Sequence, residues 1–368
     1  MKETFLCGTL FVFFNMENNR FLLYGANGYT GKLIAAMAAQ YGLVPILAGR
    51  NKKSIKALAD ELSLDYRIIS LRDNRSLENA LLEVPLVLHA AGPFQFTSKI
   101  MIDACLATNT HYLDITGEIG VFESAKRYNE KATAAGVMLM PGVGFDVVPT
   151  DCMAKYLKDR LPDATNLELA FASIGGKFSH GTAMTMAEGL GEGGAARVNG
   201  KITKEPLGKK GMWVDFGLKK LFVMSIPWGD VSTAFFTTGI PNIQTYTGAS
   251  EKTFKLLKWQ FFYNFILRTS FVRNYVKKQI KQKPAGPTDE MRANAKSLIW
   301  GMASNENGQQ VSARMVGPEG YTLTAISSLI IAKKVLSGNF TVGYQTPAAV
   351  YGADLVLEIP GVSREIIA

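Results

Sequence analysis

The chain has 368 residues, 47% of them apolar and 19% charged, with a formal net charge of +9. That length exceeds what one hydrophobic core usually supports, and the composition describes a folded, soluble protein and excludes a disordered one. Three cysteines (Cys7, Cys105, Cys152), odd in number and far apart, exclude a disulfide framework and favour a reducing, cytoplasmic setting; three histidines (His89, His111, His180) without ligand-like spacing argue against a metal site.

The chain opens with an apolar run from Phe5 to Phe14. It is about half the roughly twenty residues a bilayer span needs, and no small-x-small cleavage site follows it. Residues 1–17 are read as an N-terminal extension, disordered or mis-started with Met16 as the start; a short membrane-seeking tail is the competing reading.

Residues 18–145 then alternate regularly. Strands are expected at Phe21–Tyr24, Val44–Ala48, Tyr66–Ser70, Leu86–Ala90, His111–Ile115 and Val137–Met140. Helical patterns fall between them, the last a single helix from Val121 to Ala134. Apolar runs alternating with amphipathic ones predict an α/β, Rossmann-type doubly wound parallel sheet with its ligand at the carboxyl ends of the strands.

The first strand ends in the glycine turn Gly25-Ala26-Asn27-Gly28-Tyr29-Thr30-Gly31, and an apolar helix begins at once. Strand, tight turn and helix start form the unit that cradles a dinucleotide pyrophosphate, because free N–H groups and the positive helix end face the phosphates. The pattern is G-x-x-G-x-x-G, with Ala26 where the commoner motif has its first glycine. The second strand ends in Gly49-Arg50-Asn51, nineteen residues on from Gly31, where an NAD site would carry an acid for the ribose hydroxyls. A guanidinium matches a 2′-phosphate instead, so NADP (NADPH) is the expected cofactor, with Arg50 and Asn51 beside it. A surface role for Arg50 at a helix start is the alternative. The fourth strand runs into Ala90-Ala91-Gly92-Pro93-Phe94, a turn suited to a backbone passing flat beneath a cofactor ribose. No tyrosine has lysine four residues later, which disfavours the Tyr-x-x-x-Lys reductases.

Together with His111-Tyr-Leu-Asp-Ile-Thr-Gly-Glu118, Pro141-Gly-Val-Gly-Phe-Asp-Val-Val-Pro149, Gly343-Tyr-Gln-Thr-Pro347 and Tyr351-Gly-Ala-Asp354, these segments resemble the saccharopine-dehydrogenase-like oxidoreductases, including their trans-acting enoyl reductase branch. The resemblance runs in order from about residue 20 to 361. It implies a Rossmann NADP domain and a mixed second domain, with no catalytic residue securely assigned in the branch. His89 departs from the asparagine or cysteine expected before Ala90.

Residues 146–342 are read as the second, substrate or interaction domain, an α+β unit whose mixed or antiparallel sheet carries helices on one side; residues 343–368 are a C-terminal segment that can return to the first domain. Strands are expected at Asn166–Ser173, Lys210–Phe216, Leu221–Ile226, Thr233–Gly239 and Ile243–Thr247. A hairpin (Leu298–Ser304, Gln310–Val316) and helices near Gly181 and over Thr322–Leu336 complete it. Proton donors must lie where the domains meet. The catalytic candidates are Asp114, Asp146 and His180, each with capping or hinge hydrogen bonding as its structural alternative.

Most of the positive charge is local. Between Glu251 and Lys283 nine basic residues stand against one acid, interleaved with aromatics at near-helical spacing. A solvated basic face is one reading of residues 252–283, and peripheral membrane contact or admission of a long acyl substrate is the other. The rest of the chain is nearly neutral, so no nucleic-acid partner is expected.

The expected function is NADP-dependent hydride transfer to an activated C=C (enoyl) or C=N bond of a small-molecule or lipid-like substrate. A homodimer is left open and the setting is cytoplasmic, with membrane association through the basic arm. The alternative is a non-catalytic NADP sensor or a membrane-associated binding protein.

Overall fold

A computed structural model describes residues 19–282 and 284–367; the N-terminal extension and Lys283 lie outside the described residues. Residues 20–140 supply six of the seven strands of the first sheet: β1 (Arg20–Tyr24), β2 (Val44–Gly49), β3 (Tyr66–Ile68), β4 (Leu86–His89), β5 (His111–Asp114) and β6 (Met138–Met140), in the order β6-β5-β4-β1-β2-β3 with every pair parallel. Side chains alternate between two cores. Phe21, Leu23, Leu47, Leu88 and Leu113 pack on one face, and Leu22, Tyr24, Ile46, Ala48, Val87 and Tyr112 on the other. A period of two with both faces buried is why these strands read as unbroken apolar runs.

The second sheet takes β7 (Asn166–Ile174), β8 (Gly194–Val198), β9 (Lys201–Glu205), β10 (Gly211–Asp215), β11 (Lys220–Ser225), β12 (Asn242–Gly248), β13 (Lys296–Ser304) and β14 (Gln310–Pro318). Near the end of the chain, β15 (Gly343–Tyr344) pairs in parallel with β6 of the first sheet, and β16 (Ser363–Ile366) adds to β14. The second sheet runs β10-β11-β12-β7-β13-β14-β16, with β8 and β9 branching from β12. It is mixed, not wholly antiparallel, because β7 and β12 pair in parallel from Asn166↔Asn242 to Thr247↔Phe171. The long crossover between them, which includes a helix, supplies the return that a parallel pair requires.

That crossover helix corrects the reading of Thr233–Gly239 as a strand: Asp230–Thr238 is helical. The stretch is short, apolar and rich in β-branched residues, which makes its period ambiguous. Burial decides it, since Val231, Ala234 and Thr238 fall on one helical face and Gly239, at φ 71°, closes the last turn. The single helix expected over Val121–Ala134 is two, Ile119–Lys126 and Asn129–Ala134, interrupted at Tyr128. The helix expected near Gly181 starts one residue earlier, at His180, with the Ser179 hydroxyl accepting from Thr182 N at 3.3 Å.

Helix Gly320–Leu336 holds the two sheets together. It is buried nearly all round, which a surface helix never is, and it packs against the glycine-turn helix Tyr29–Met37. Its Thr324 hydroxyl accepts from Phe145 N (3.0 Å) and its Ser327 hydroxyl donates to the Val143 carbonyl (2.7 Å), so it grips the interdomain crossover directly. No helix of the described residues is long and apolar enough to cross a membrane.

The turn itself is packed to its limit. A methyl group on Gly31 would lie 2.8 Å from the Ala26 Cα and closer still to the Gly25 carbonyl oxygen, both backbone atoms that cannot rotate away. Gly31→Ala should therefore lower stability by about 1–3 kcal/mol, measured by urea unfolding; a change under about 0.5 kcal/mol, the range of ordinary surface substitutions, would show that the turn is looser than this packing.

Candidate active site

Strand β1 stops because Gly25 takes φ 87°, a conformation that side chains rarely adopt. The turn is then stitched to its neighbours by backbone alone. Gly25 N and Ala26 N both donate to the Ala48 carbonyl (2.8 and 3.2 Å), and Gly28 N donates back to the Gly25 carbonyl (2.9 Å). Helix Tyr29–Met37 starts with no side-chain cap, so its first-turn N–H groups around Tyr29, Thr30 and Gly31 present a positive, hydrogen-bond-rich face. Asn27 reaches sideways to the Ser54 hydroxyl (3.1 Å), and Ala26 is fully buried.

Arg50 and Asn51 separate in role. Asn51 caps helix Lys52–Leu62, its side chain accepting from Ser54 N at 3.1 Å. Arg50 is exposed, with no hydrogen bond or ion pair among the described residues. Its charge opposes the rise in the Tyr24 pKa that burial causes.

The loop Ala90-Ala91-Gly92-Pro93-Phe94 meets the glycine turn backbone to backbone. A methyl on Gly25 would fall 2.8 Å from Ala90 C and Ala91 N. His89, just before this loop, is fully buried and held neutral, its pKa pushed down to about 3 by burial. The Thr97 hydroxyl donates to the Ala91 carbonyl (3.0 Å), so His89 Nε2, 3.0 Å from the same oxygen, carries the proton and donates to it. The departure at position 89 is thus a loop brace. Glu118 completes the loop by accepting from Phe94 N (2.8 Å) and Gln95 N (2.9 Å).

Four carboxylates gather near the crossover. Asp114, fully buried, accepts from Tyr112 Oη (2.6 Å), Thr116 N (2.9 Å) and Gly142 N (2.9 Å), and burial lifts its pKa to about 6 against those bonds. Its acceptor sites are spent on tying β5 to the loop after β6. Asp151, on helix Val148–Arg160, accepts from the Thr237 hydroxyl (2.5 Å) and Ala348 N (2.8 Å), and burial raises it to about 7. Asp230 is fully buried, and neither carboxylate oxygen has a hydrogen bond. Thr150 lies near enough to bear on its charge, but that hydroxyl donates to the Val147 carbonyl (3.1 Å).

Asp146 differs from all three. It is half-buried, its carboxylate makes no hydrogen bond among the described residues, and crowding by its surroundings, helped by the nearby Glu118 charge, raises its pKa to about 7. A methyl on Gly117 would sit 2.8 Å from Asp146 Oδ2, which places this carboxylate at the carboxyl end of β5. Trp228 donates its indole N–H to the Asp146 carbonyl (2.9 Å) and packs on Phe171 with centroids 4.7 Å apart; Phe145 meets Phe171 edge-on at 5.8 Å. A carboxyl kept protonated to neutral pH beside three half-buried aromatics can give a proton to an apolar reactant.

His180 opens the helix that follows Ser179. Its backbone N donates to the Ala285 carbonyl (2.9 Å), and its helix is tied to Tyr321, whose hydroxyl accepts from Ser179 N (2.6 Å) and bonds the Thr182 hydroxyl (2.8 Å). Tyr321 meets Tyr29 edge-on, centroids 5.0 Å apart, and Tyr29 donates to the Pro287 carbonyl (2.7 Å). The second domain thus touches the glycine turn through Tyr29. Asp230 and Trp228 carry no motif that marks them in the sequence; the Pro227-Trp228-Gly229 break between β11 and its following helix is their nearest signal.

Residues 21–140 match the family model described as the saccharopine dehydrogenase NADP binding domain. Over those residues the chain is similar to that NADP-binding domain. Over its whole length the fold is that of apo saccharopine dehydrogenase (L-Glu forming) from Saccharomyces cerevisiae, with a TM-score of 0.66 at 12% identity, covering 95% of this chain and 100% of that one. Among curated relatives, a Mycobacterium tuberculosis protein carrying a trans-acting enoyl reductase name is 30% identical over 46% of this chain and 43% of its own. A lipid droplet localized protein of Caenorhabditis elegans is 26% identical over 51% of this chain and 49% of its own. The chain thus spans about half the length of the curated relatives it matches.

The buried acids of this saccharopine-dehydrogenase-type fold carry a pH signature. Asp151 and Asp230 ionise in the unfolded chain near their ordinary 3.8 but keep their protons in the fold to higher pH. The native state binds more protons, so stability falls as pH rises from about 4, and for Asp151 the fall ends near 7. Asp230→Asn removes one such group. Between pH 5 and pH 8 the stability difference should move in the variant's favour by roughly 1–3 kcal/mol, read from urea unfolding at both pH values; a constant difference would mean that Asp230 is ionised throughout.

Proposed function

We propose that the chain is an NADPH-dependent reductase that reduces an activated C=C (enoyl) or C=N bond of an apolar, lipid-like small molecule, with Asp146 as the proton donor. The observation that carries this reading is Asp146 itself: half-buried, without a hydrogen bond on its carboxylate among the described residues, lifted to about 7, beside Gly117 at the carboxyl end of the parallel sheet, with Trp228 on its backbone carbonyl and Phe171 and Phe145 packed nearby. NADPH, when bound, supplies the hydride. The glycine turn from Gly25 to Gly31 and the loop from Ala91 to Phe94 form its cradle, with phosphates at the helix start of Tyr29 and Thr30. Arg50 holds the 2′-phosphate, its guanidinium free for a bidentate contact. The electron pair delivered to one carbon leaves its neighbour, or the imine nitrogen, carrying charge; the Asp146 carboxyl transfers its proton there and is left as carboxylate. Asp114 and Asn51 are positioning residues, spent on the β5–β6 loops and on a helix cap.

Two further observations favour this substrate class. The enoyl reductase name of the mycobacterial relative agrees with it, as does the lipid-droplet location in the name of the nematode relative. A substrate with several carboxylates, such as saccharopine, would need free arginines. Between Asp151 and Ser250 the only two are Arg160, stacked 3.5 Å over Tyr156, and Arg197, buried and donating to the Val231 carbonyl (2.5 Å).

Arg50→Ala should weaken NADPH binding about 10- to 100-fold, read by NADPH fluorescence, and leave NADH binding unchanged; tighter binding of NADH than NADPH by the wild type would contradict the role of Arg50. With enoyl thioesters, imines and carbonyls as test substrates, wild-type NADPH oxidation should decline as pH rises through about 7, because the acid must be protonated to act. Asp146→Asn should cut kcat by about 10²- to 10⁴-fold and abolish that decline while cofactor binding persists. Cofactor binding without turnover on any of the three substrate classes would assign the chain to a sensor instead.

A further inference from the structure

The arm that follows β12 is built inside out. It consists of helix Glu251–Leu257, a 3-10 turn at Gln260–Phe262, and helices Asn264–Leu267 and Ser270–Lys281, and among these elements only Ile280 is buried. In the last helix Arg273 and Lys277 share the inward face with Ile280, and they are pinned to the body. Arg273 reaches the Leu190 carbonyl and Glu192 (2.7 Å each), and Lys277 pairs with Glu188 (2.5 Å). The outward face carries Phe271, Tyr275 and Lys278, one helical stripe at i, i+4, i+7. A helix of a water-soluble surface turns its rings in; this one turns Phe271 and Tyr275 out beside Lys278.

The rest of the arm repeats the arrangement. Phe261 is 85% exposed, Phe262 65%, Phe265 67% and Phe271 82%, with Leu256 and Trp259 exposed beside them. At the area an aromatic side chain carries, these four rings alone offer on the order of 500 Å² of apolar surface, large for a single patch on a soluble protein. Around them stand Lys252, Lys255, Lys258, Arg268, Lys278 and Lys281, of which only Lys255, with Glu251, has an ion pair among the described residues.

We propose that residues 251–281 form a docking surface for a membrane bearing anionic lipids, with the phenylalanines seated among the acyl chains and the lysines at the headgroups. Charge selects this occupant. A second copy of the chain, meeting this face by twofold symmetry, would set one basic arm against another. An anionic headgroup layer complements both the cations and the rings. The surface rests on nothing in the reductase reading, and its test uses no turnover.

The full chain is mixed with vesicles of phosphatidylcholine alone or of phosphatidylcholine with one-fifth phosphatidylserine, and the bound fraction is read by co-sedimentation. The wild type should prefer the anionic vesicles by at least about tenfold and lose that preference in about 0.5 M salt. The variant carrying Phe261→Ser, Phe262→Ser, Phe265→Ser and Phe271→Ser should bind them at least about tenfold more weakly with an unchanged thermal melt. Lys252→Glu with Lys278→Glu and Lys281→Glu, whose side chains make no ion pair or hydrogen bond among the described residues, should remove the anionic preference by a second route. The proposal is overturned if neither variant changes vesicle binding, or if the wild type ignores both vesicle types and forms a dimer that the serine variant dissolves.

Discussion

Everything about this site depends on two loops meeting backbone to backbone. Gly25, at positive φ, lies against Ala90 and Ala91, and Gly31 lies against Gly25. Only glycine lets the first turn of helix Tyr29–Met37 sit this close to the loop after β4, and that closeness puts the uncapped helix start beside Ala91–Phe94. The second loop is then braced from below. Neutral His89 holds Thr97, Thr97 holds Ala91, and Glu118 holds the N–H groups of Phe94 and Gln95. A chain of hydrogen bonds from a buried imidazole thus fixes the backbone that would lie under a nicotinamide ribose.

The same end of the sheet explains why acids collect there. Parallel strands all deliver their carboxyl ends to one edge, and the crossover from β6 to helix Val148–Arg160 must leave from that edge toward the second sheet. Helix Gly320–Leu336 clamps the crossover through Val143 and Phe145, which excludes water from the residues between. Burial then separates the acids by the partners each finds. Asp114 and Asp151 are satisfied by backbone and hydroxyl donors and act as struts. Asp146 finds none among the described residues, stays partly open to solvent, and keeps a raised pKa.

How much of this was legible follows from the physics of each segment. The first sheet was readable because strands buried on both faces leave unbroken apolar runs, and the glycine turn because close backbone approach demands glycine at fixed places. Helix Asp230–Thr238 was not, since nine residues rich in Val, Thr and Phe carry no clear period, and only the long return from β7 to β12 shows why a helix belongs there. Asn51 was grouped with Arg50 by adjacency, whereas its side chain belongs to the helix cap. Asp146 stood among the sequence candidates, but nothing local distinguished it from Asp114; their difference lies in long-range contacts such as Gly142 N on one and Trp228 beside the other. The outward turn of Phe271 and Tyr275 on helix Ser270–Lys281 was equally hidden, because spacing shows two faces without saying which one turns to the body.

In the proposed reaction, cofactor and acid share one end of the first sheet. A crystal structure of the chain with NADP⁺ tests it most directly. The pyrophosphate is expected at the start of helix Tyr29–Met37, the 2′-phosphate on Arg50, and the nicotinamide ring between the Ala91–Phe94 loop and Asp146. A nicotinamide ring found away from Asp146, or an adenosine directed away from Arg50, would contradict it.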